Sequence, residues 1–382
     1  MTPKSLFERR VPAEAENMAH EFLDDEELQE EPAPSSSQPM ELNLQDLGYL
    51  EIPQDLLRKK PGMFDPLRVS VLNLSRNRLL CANEIVIFEN LISLDLSNNQ
   101  LMDVPKDIGK LGKLRVFEAR NNMIEDFPDS MSLLTNIEVF NVAGNHLTVF
   151  PTVCLEMLKL RQLYLGGNHI SELPFGIGTL TQLEVLYLGG NQLIEIPATI
   201  GHLKALCNLN LSDNVLESLP STVAECQELE LLSLHNNKIR TLPTGIIKLR
   251  NLAQLSLRGN PLVAEFVSNI QLEPPKLKEL AGRIVQRKLE KWRLWEILPR
   301  ELVHYLHSAN QCVNPKCKGV YFEACVEHVK FVDFCGKYRV PLLEFLCSPR
   351  CSSTAPAYVS SSSDTEDEPD SSQMKMKKVL LG

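Results

Sequence analysis

Four cysteines towards the C-terminal end stand as two close pairs, Cys312-x4-Cys317 and Cys347-x3-Cys351, with 29 residues between them. Paired thiolates on two tight turns can close tetrahedrally on one zinc ion. A segment of about forty residues needs such a staple, because its own apolar core is small. The spacings are looser than C-x2-C, so reduced cysteines that merely fill a core remain the alternative. Cys325 and Cys335 lie between the pairs and stay open as replacement ligands or as buried apolar residues. Four thiolates make a closed, structural site, whereas catalytic zinc keeps a position for water. Elsewhere there is no Gly-rich phosphate loop, no nucleophile beside a recognisable base and no paired acids set in a pocket, so the chain reads as a non-enzyme.

The elements that carry these residues announce themselves by period. Asn77, Asn99, Asn122, Asn145, Asn168, Asn191, Asn214, Asn237 and Asn260 recur at a spacing of 22 and then 23 residues. Each stands in one frame, clearest in Leu163-x-Leu165-x-x-Asn168-x-Ile170 and Leu186-x-Leu188-x-x-Asn191-x-Leu193. This pattern is identified as the leucine-rich repeat. It predicts an α/β solenoid with a curved parallel sheet on its concave face, followed by a C-terminal helical segment and the Cys-rich module. The leucines alternate inward and the Asn amide satisfies backbone groups at the corner where the strand ends. A second ladder, Pro105, Pro128, Pro151, Pro174, Pro197, Pro220 and Pro243, closes each corner, where proline fixes φ without removing a strand hydrogen bond.

Composition divides the rest. Residues 1–40 are acidic and Pro/Ser-rich and read as a disordered tail. Residues 41–67 read as a degenerate capping repeat, 68–270 as the repeats, 274–310 as a helical cap, 311–352 as the Cys-rich module and 353–382 as a second, Ser/acidic tail. In that last tail Ser361, Ser363 and Thr365 each have an acid three residues on, the pattern of acidophilic kinase sites.

The net charge of −10 argues against nucleic-acid binding, and no apolar run reaches membrane-spanning or signal-peptide length. The ten cysteines do not bracket the repeats as disulfide caps would. A reduced, cytoplasmic setting follows, with the nucleus left open. A solenoid offers a broad concave surface suited to gripping another macromolecule, so the first partner expected is a protein held on the repeats. Its middle outward positions run Asn73, Asp95, Glu118, Asn141, Tyr164, Tyr187, Asn210, Ser233 and Ser256. Neighbouring strands lie about 4.8 Å apart, which sets Tyr164 and Tyr187 side by side, each followed by a glycine pair that leaves open space. An exposed aromatic pair is a candidate hot spot; plain strand coverage is the alternative. Arg120, His235 and Arg258, at the next outward position, could add charge or simply be solvated.

Between repeats and cysteines, Leu277-x-x-x-Ala281-x-x-x-Val285 resembles the box by which substrate receptors bind elongin C. Downstream, Leu298-Pro299-x-x-Leu302-x-x-x-Leu306 resembles the cullin-2 box. Lys276 stands where that family usually has Ser, Thr or Pro, and Ala281 where Cys is common. Physically, the first is an apolar edge that can lie in a partner's groove and the second a Pro-started helix presenting apolar residues. The cysteine module, with Lys330-Phe-Val-Asp-Phe-Cys335 and the terminal Lys378-Val-Leu-Leu-Gly382, is similar to that of intracellular leucine-rich-repeat proteins and compatible with a substrate receptor of a cullin-RING ubiquitin ligase. What the resemblance implies is docking onto elongin B/C and cullin 2, with cullin 5 the less matching scaffold. Six clustered cysteines cannot supply the eight ligands of a RING, so the chain would position ubiquitin transfer without catalysing it. The alternative is a signalling scaffold, since 23-residue repeats with Leu-Pro corners also resemble regulators of Ras-type GTPases; the helical segment would then be only a solenoid cap.

Overall fold

The computed structural model describes residues 40–53, 56, 64–263, 275–288, 298–314, 317, 319–334, 338–351 and 378–380. Cys335, the kinase-site residues Ser361, Ser363 and Thr365, and the 1–39 and 353–377 tail segments lie outside them.

The leucine-rich-repeat solenoid expected from the period is the fold. Its concave face is an 11-stranded parallel sheet. The strands are β1 (Met40–Asn43), β2 (Val69–Asn73), β3 (Ser93–Asp95), β4 (Val116–Glu118), β5 (Val139–Asn141), β6 (Gln162–Tyr164), β7 (Val185–Tyr187), β8 (Asn208–Asn210) and β9 (Leu231–Ser233). A short corner strand, β10 (Leu242–Pro243), precedes β11 (Gln254–Ser256). Helices α1 (Leu277–Lys288) and α2 (Arg300–His307) follow, then β12 (Asn310–Gln311), β13 (Val320–Tyr321), β14 (Val326–Phe334), β15 (Tyr338–Leu346) and β16 (Lys378–Leu380).

Beyond one irregularity between Met40 and Glu41 where β1 meets β2, register is constant from rung to rung, as in Phe117↔Phe140, Leu163↔Leu186 and Leu209↔Leu232, so the apolar residues stack into one continuous core. Phe117 and Phe140 stack at 5.5 Å between ring centroids, with Phe127 edge-on to Phe140 at 5.4 Å. The buried asparagines do the corner work. Asn168 Nδ2 donates to the carbonyls of Leu165 (2.9 Å) and Val142 (3.2 Å), while its Oδ1 accepts the Leu147 amide at 3.0 Å. With a longer bond to the Gly166 carbonyl at 3.4 Å, one side chain ties four backbone groups drawn from two turns of the solenoid, and the pattern repeats along the ladder. The residue before each ladder asparagine is left-handed, from Arg76 through Gly144, Gly167 and Gly190 to Gly259, with φ between 53° and 70°. Most of the proline ladder supplies the extended residue ahead of each convex 3-10 turn, as Pro174 does for Phe175–Thr179.

Two features differ from the sequence reading. The Cys-rich segment is welded to the solenoid: β14 and β15 form an antiparallel hairpin, β15 pairs in parallel with β10 through Leu242↔Leu342, and Val340 and Leu342 enter the main core. Secondly, Lys378–Leu380, placed by composition in the tail, adds to β11 as the last parallel strand with Leu255 opposite Val379. The unpaired edge of the final repeat can accept any short strand-forming run, and Lys-Val-Leu is one. No helix among the described residues is long and apolar enough to cross a membrane.

Candidate functional site

Three places carry the residues singled out by the sequence. On the concave face, Tyr164 and Tyr187 lie on adjacent rungs with ring centroids 6.4 Å apart and planes tilted by 38°. The Tyr164 hydroxyl donates to Gln162 Oε1 at 3.2 Å, and Tyr187 keeps 37% of its surface exposed. The glycine pairs beside them do not leave empty space. Tyr187 leans over Gly166, where an added Cβ would stand 2.1 Å from its Cε1, and Gly167 and Gly190 are the left-handed corner residues. At Gly189 the neighbours are Ser212 and Asn210.

The charged candidates are not one patch. Arg120 follows β4 and is exposed; beside it burial first, then repulsion from Asp95, push the Glu118 carboxyl up against the opposing pull of Arg120. His235 and Arg258 follow the neighbouring strands β9 and β11, five rungs away from β4 for the first of them. His235 bridges Asp213 (Nε2 to Oδ2, 3.5 Å) and Ser256 (Nδ1 to Oγ, 3.4 Å), while Arg258 is exposed.

On α1 the stripe points outward. Leu277 is 84% exposed, Ile284 56% and Leu280 44%, and Ala281 is exposed with them, whereas Val285 is partly buried. The buried face is polar, which sequence reading missed. Glu279, with its side chain 3% exposed, accepts the amides of Ala324 (2.9 Å), Phe322 (3.1 Å) and Glu323 (3.4 Å). Arg283 bonds Glu279 through Nε at 3.1 Å and donates from Nη1 to the Cys347 carbonyl at 2.8 Å. Burial alone would raise the Glu279 carboxyl, but the bonds from Ala324, Arg283 and Phe322 outweigh it and hold it below the usual carboxylate value. The i, i+4 spacing of Glu279 and Arg283 was the available signal. In the downstream motif Pro299 is the N-cap residue of α2 and Leu302 is exposed. Leu306 instead points inward with Val303, against Val285, Leu298 and Phe322. It serves packing rather than a free surface.

The four cysteines come together. The Sγ atoms of Cys312, Cys317, Cys347 and Cys351 all lie within 4.8 Å of one another, with Cys317–Cys347 at 3.8 Å and Cys347–Cys351 at 3.7 Å. Zinc–sulfur bonds of about 2.3 Å in a tetrahedron put sulfurs about 3.8 Å apart, while a disulfide needs about 2.05 Å. The spacing therefore fits a metal and not a crosslink. Backbone amides point at the sulfurs, Gly319 to Cys317 (3.2 Å) and Cys347 to Cys312 (3.4 Å), as suits thiolate acceptors. Asn314 braces the second turn by donating to the Cys351 carbonyl at 2.9 Å. Burial pushes the Cys317 and Cys347 thiols up; at Cys351 burial is outweighed by hydrogen bonds, Ser348's first, which hold that thiol below its usual value. Cys325 stands outside the cluster. A dication would offset the cost of ionising four neighbouring thiols.

Comparison with known proteins agrees with the repeat frame. The leucine rich repeat family models match residues 90–111, 159–216 and 208–262. Among curated proteins, leucine-rich repeat-containing protein 58 of Xenopus laevis is 52% identical over 122 residues, 32% of this chain and 35% of that protein. The Homo sapiens protein of the same name is 52% identical over 89 residues, 23% of this chain and 24% of its own length. The matched segments thus span about a third or less of these relatives. Among solved structures, the Arabidopsis receptor kinase HAESA in complex with a peptide hormone and a co-receptor is 27% identical with a TM-score of 0.50, covering 60% of this chain and 39% of that one. A TDR receptor structure is 26% identical with a TM-score of 0.52, covering 59% and 39%.

Proposed function

We propose that this leucine-rich-repeat chain is the non-catalytic substrate-recognition subunit of a ubiquitin ligase, holding a protein substrate on its concave face and docking through α1 and α2 onto elongin B/C and a cullin. The observation that carries it is the direction of the α1 stripe. Leu277, Leu280, Ala281 and Ile284 face solvent although the opposite side of the same helix buries an ion pair. An apolar edge kept in water beside a buried carboxylate inverts the usual arrangement of a surface helix, and occupation by a partner's groove resolves it. On α2, Pro299 and Leu302 are the accessible part of the cullin motif, with cullin 2 favoured over cullin 5 by motif resemblance.

The substrate side rests on Tyr164 and Tyr187, large amphipathic rings on rigid strands, the residue type that dominates binding hot spots. Similarity to a repeat receptor solved with a peptide hormone supports a polypeptide as the ligand class. The four thiolates supply a structural zinc site that staples the module. The scaffold alternative would use the helical segment to hide the last repeat's apolar edge; among the described residues β16 and the β14–β15 hairpin pair with that end, which weighs against it.

Affinity capture from cells under proteasome inhibition tests the reading. Wild type should retain elongin B/C, a cullin and a substrate, and a Tyr164→Ala/Tyr187→Ala variant should lose only the substrate. Wild-type chain that captures neither elongin B/C nor a cullin defeats the proposal.

A further inference from the structure

We infer that the four-cysteine site acts as a metal-dependent latch on α1, so that presentation of the Leu277 face requires a loaded site; this rests on the docking role proposed above for that helix. The argument starts from how α1 is held. Its outer stripe is in water, and its inner side has little apolar area beyond Val285 and the gap at Gly282, which admits the stacked rings of Tyr305 and Phe322 (centroids 4.4 Å apart). What fastens it is polar. The Glu279 carboxylate gathers the amides of residues 322–324, and Arg283 donates to the carbonyls of Cys347 and Ala324.

Every one of those acceptors and donors sits on chain tied to the sulfur cluster. The 322–324 turn lies between Cys317 and β14, and Cys347 offers its carbonyl to Arg283, its amide to Cys312 Sγ and its own sulfur to the cluster. Among the described residues, the local core around them is Cys312, Val326, Leu346 and Cys351, joined by Cys317 and Cys347. Most of that core is ligand. Without a metal its sulfurs are crowded thiols, and although β15 stays paired with β14 and β10, the turns that carry Cys312, Cys317 and Cys351 lose the tie that closes them, since a site whose closure and binding are coupled opens when stripped. The Cys347 carbonyl then moves away from Arg283, the latch loses its geometry, and a short helix left with Val285 and the Gln286 bond to the Leu306 carbonyl as its ties to α2 frays. The repeats keep their own core and do not follow.

Hydrogen exchange of the full chain decides the matter, read in peptides covering 277–288 and, as a control, 160–190. As purified or zinc-reconstituted, the chain should hold about one zinc. Stripping with a strong chelator should accelerate exchange across 277–288 by about tenfold or more, leave 160–190 unchanged, and be reversed by zinc alone. Arg283→Gln should keep the zinc yet show the fast exchange without chelator. Unchanged protection of 277–288 after stripping, absence of zinc binding, or loss of protection only together with the repeats overturns the latch. Capture of elongin B/C, run on loaded and stripped chain, separates the two ideas: failure of the loaded chain to capture removes the docking role, while the exchange data still decide the latch.

Discussion

The ring of Tyr187 rests on the backbone of Gly166, close enough that a Cβ at 166 would meet Cε1 at 2.1 Å and Cδ1 at 2.4 Å. Glycine there sets where the exposed aromatic lies. Gly166→Ala should therefore displace the ring and, because the Gly189 carbonyl is also only 2.9 Å from that Cβ, cost about 1–3 kcal/mol. In a Tyr187→Ala background the cost should shrink, giving a coupling of about 0.5 kcal/mol or more in a urea-denaturation double-mutant cycle. Strict additivity would mean the ring does not depend on Gly166.

Asn168 is the cleanest probe of the corner ladder. Replacement by alanine leaves the buried Leu147 amide without its partner, while the Val142 and Leu165 carbonyls each lose one of two asparagine donors and keep Asn145 and Asn191 respectively. At about 1–3 kcal/mol for one buried unsatisfied amide, a loss of about 1–3 kcal/mol is expected. Chemical denaturation measures it, and a loss under about 1 kcal/mol would show that water replaces the amide.

Leu277 separates docking from folding. Being 84% exposed, it should accept aspartate with a stability change within about 0.5 kcal/mol. Capture of elongin B/C should nevertheless disappear, since an unpaired charge in an apolar contact costs several kcal/mol. Pro299→Ala with Leu302→Ala should weaken cullin recruitment and spare elongin. Co-precipitation beside thermal melts tests both; normal capture by a normally folded Leu277→Asp chain rules out this docking helix.

Deleting residues 378–382 should act differently from deleting 353–377. The first uncovers the β11 edge at Gln254–Ser256, so the final repeat should fray and the chain should self-associate. The second removes none of the described residues. Light scattering and melting curves for the two deletions make the comparison, and equal behaviour would deny β16 a role.

Glu279 links the helical segment to pH. Its carboxyl is held below the ordinary value in the fold, so it binds protons less readily there than in the unfolded chain. Its stabilising contribution is then complete above the unfolded value, about 4.3, and is lost as pH falls through the lower folded one. Glu279→Gln should lower the melting temperature at neutral pH and flatten the acid limb of its pH dependence relative to wild type. Parallel acid limbs for the two proteins would contradict this.

The repeat array was legible because its contacts recur: each asparagine binds the turn before it at the same offset, so selection for one corner is written nine times in register. The same holds for Tyr164 and Tyr187, whose adjacency follows from rung spacing alone. The thiol pairing was legible in type, since two short Cys spacings imply two turns, yet only the fold brings residues 30 apart to 3.8 Å. Single, non-repeating pairings leave no such trace. β15 meeting β10, β16 joining β11, and Arg283 reaching Cys347 are each made once between distant segments. Helical period likewise put Leu302 and Leu306 on one stripe, but α2 rolls so that Leu306 packs inward and Leu302 meets water. Periodic local order was set by residue type and spacing; which face of each helix is buried, and which tail residues pair, was decided by long-range packing that no local pattern encodes.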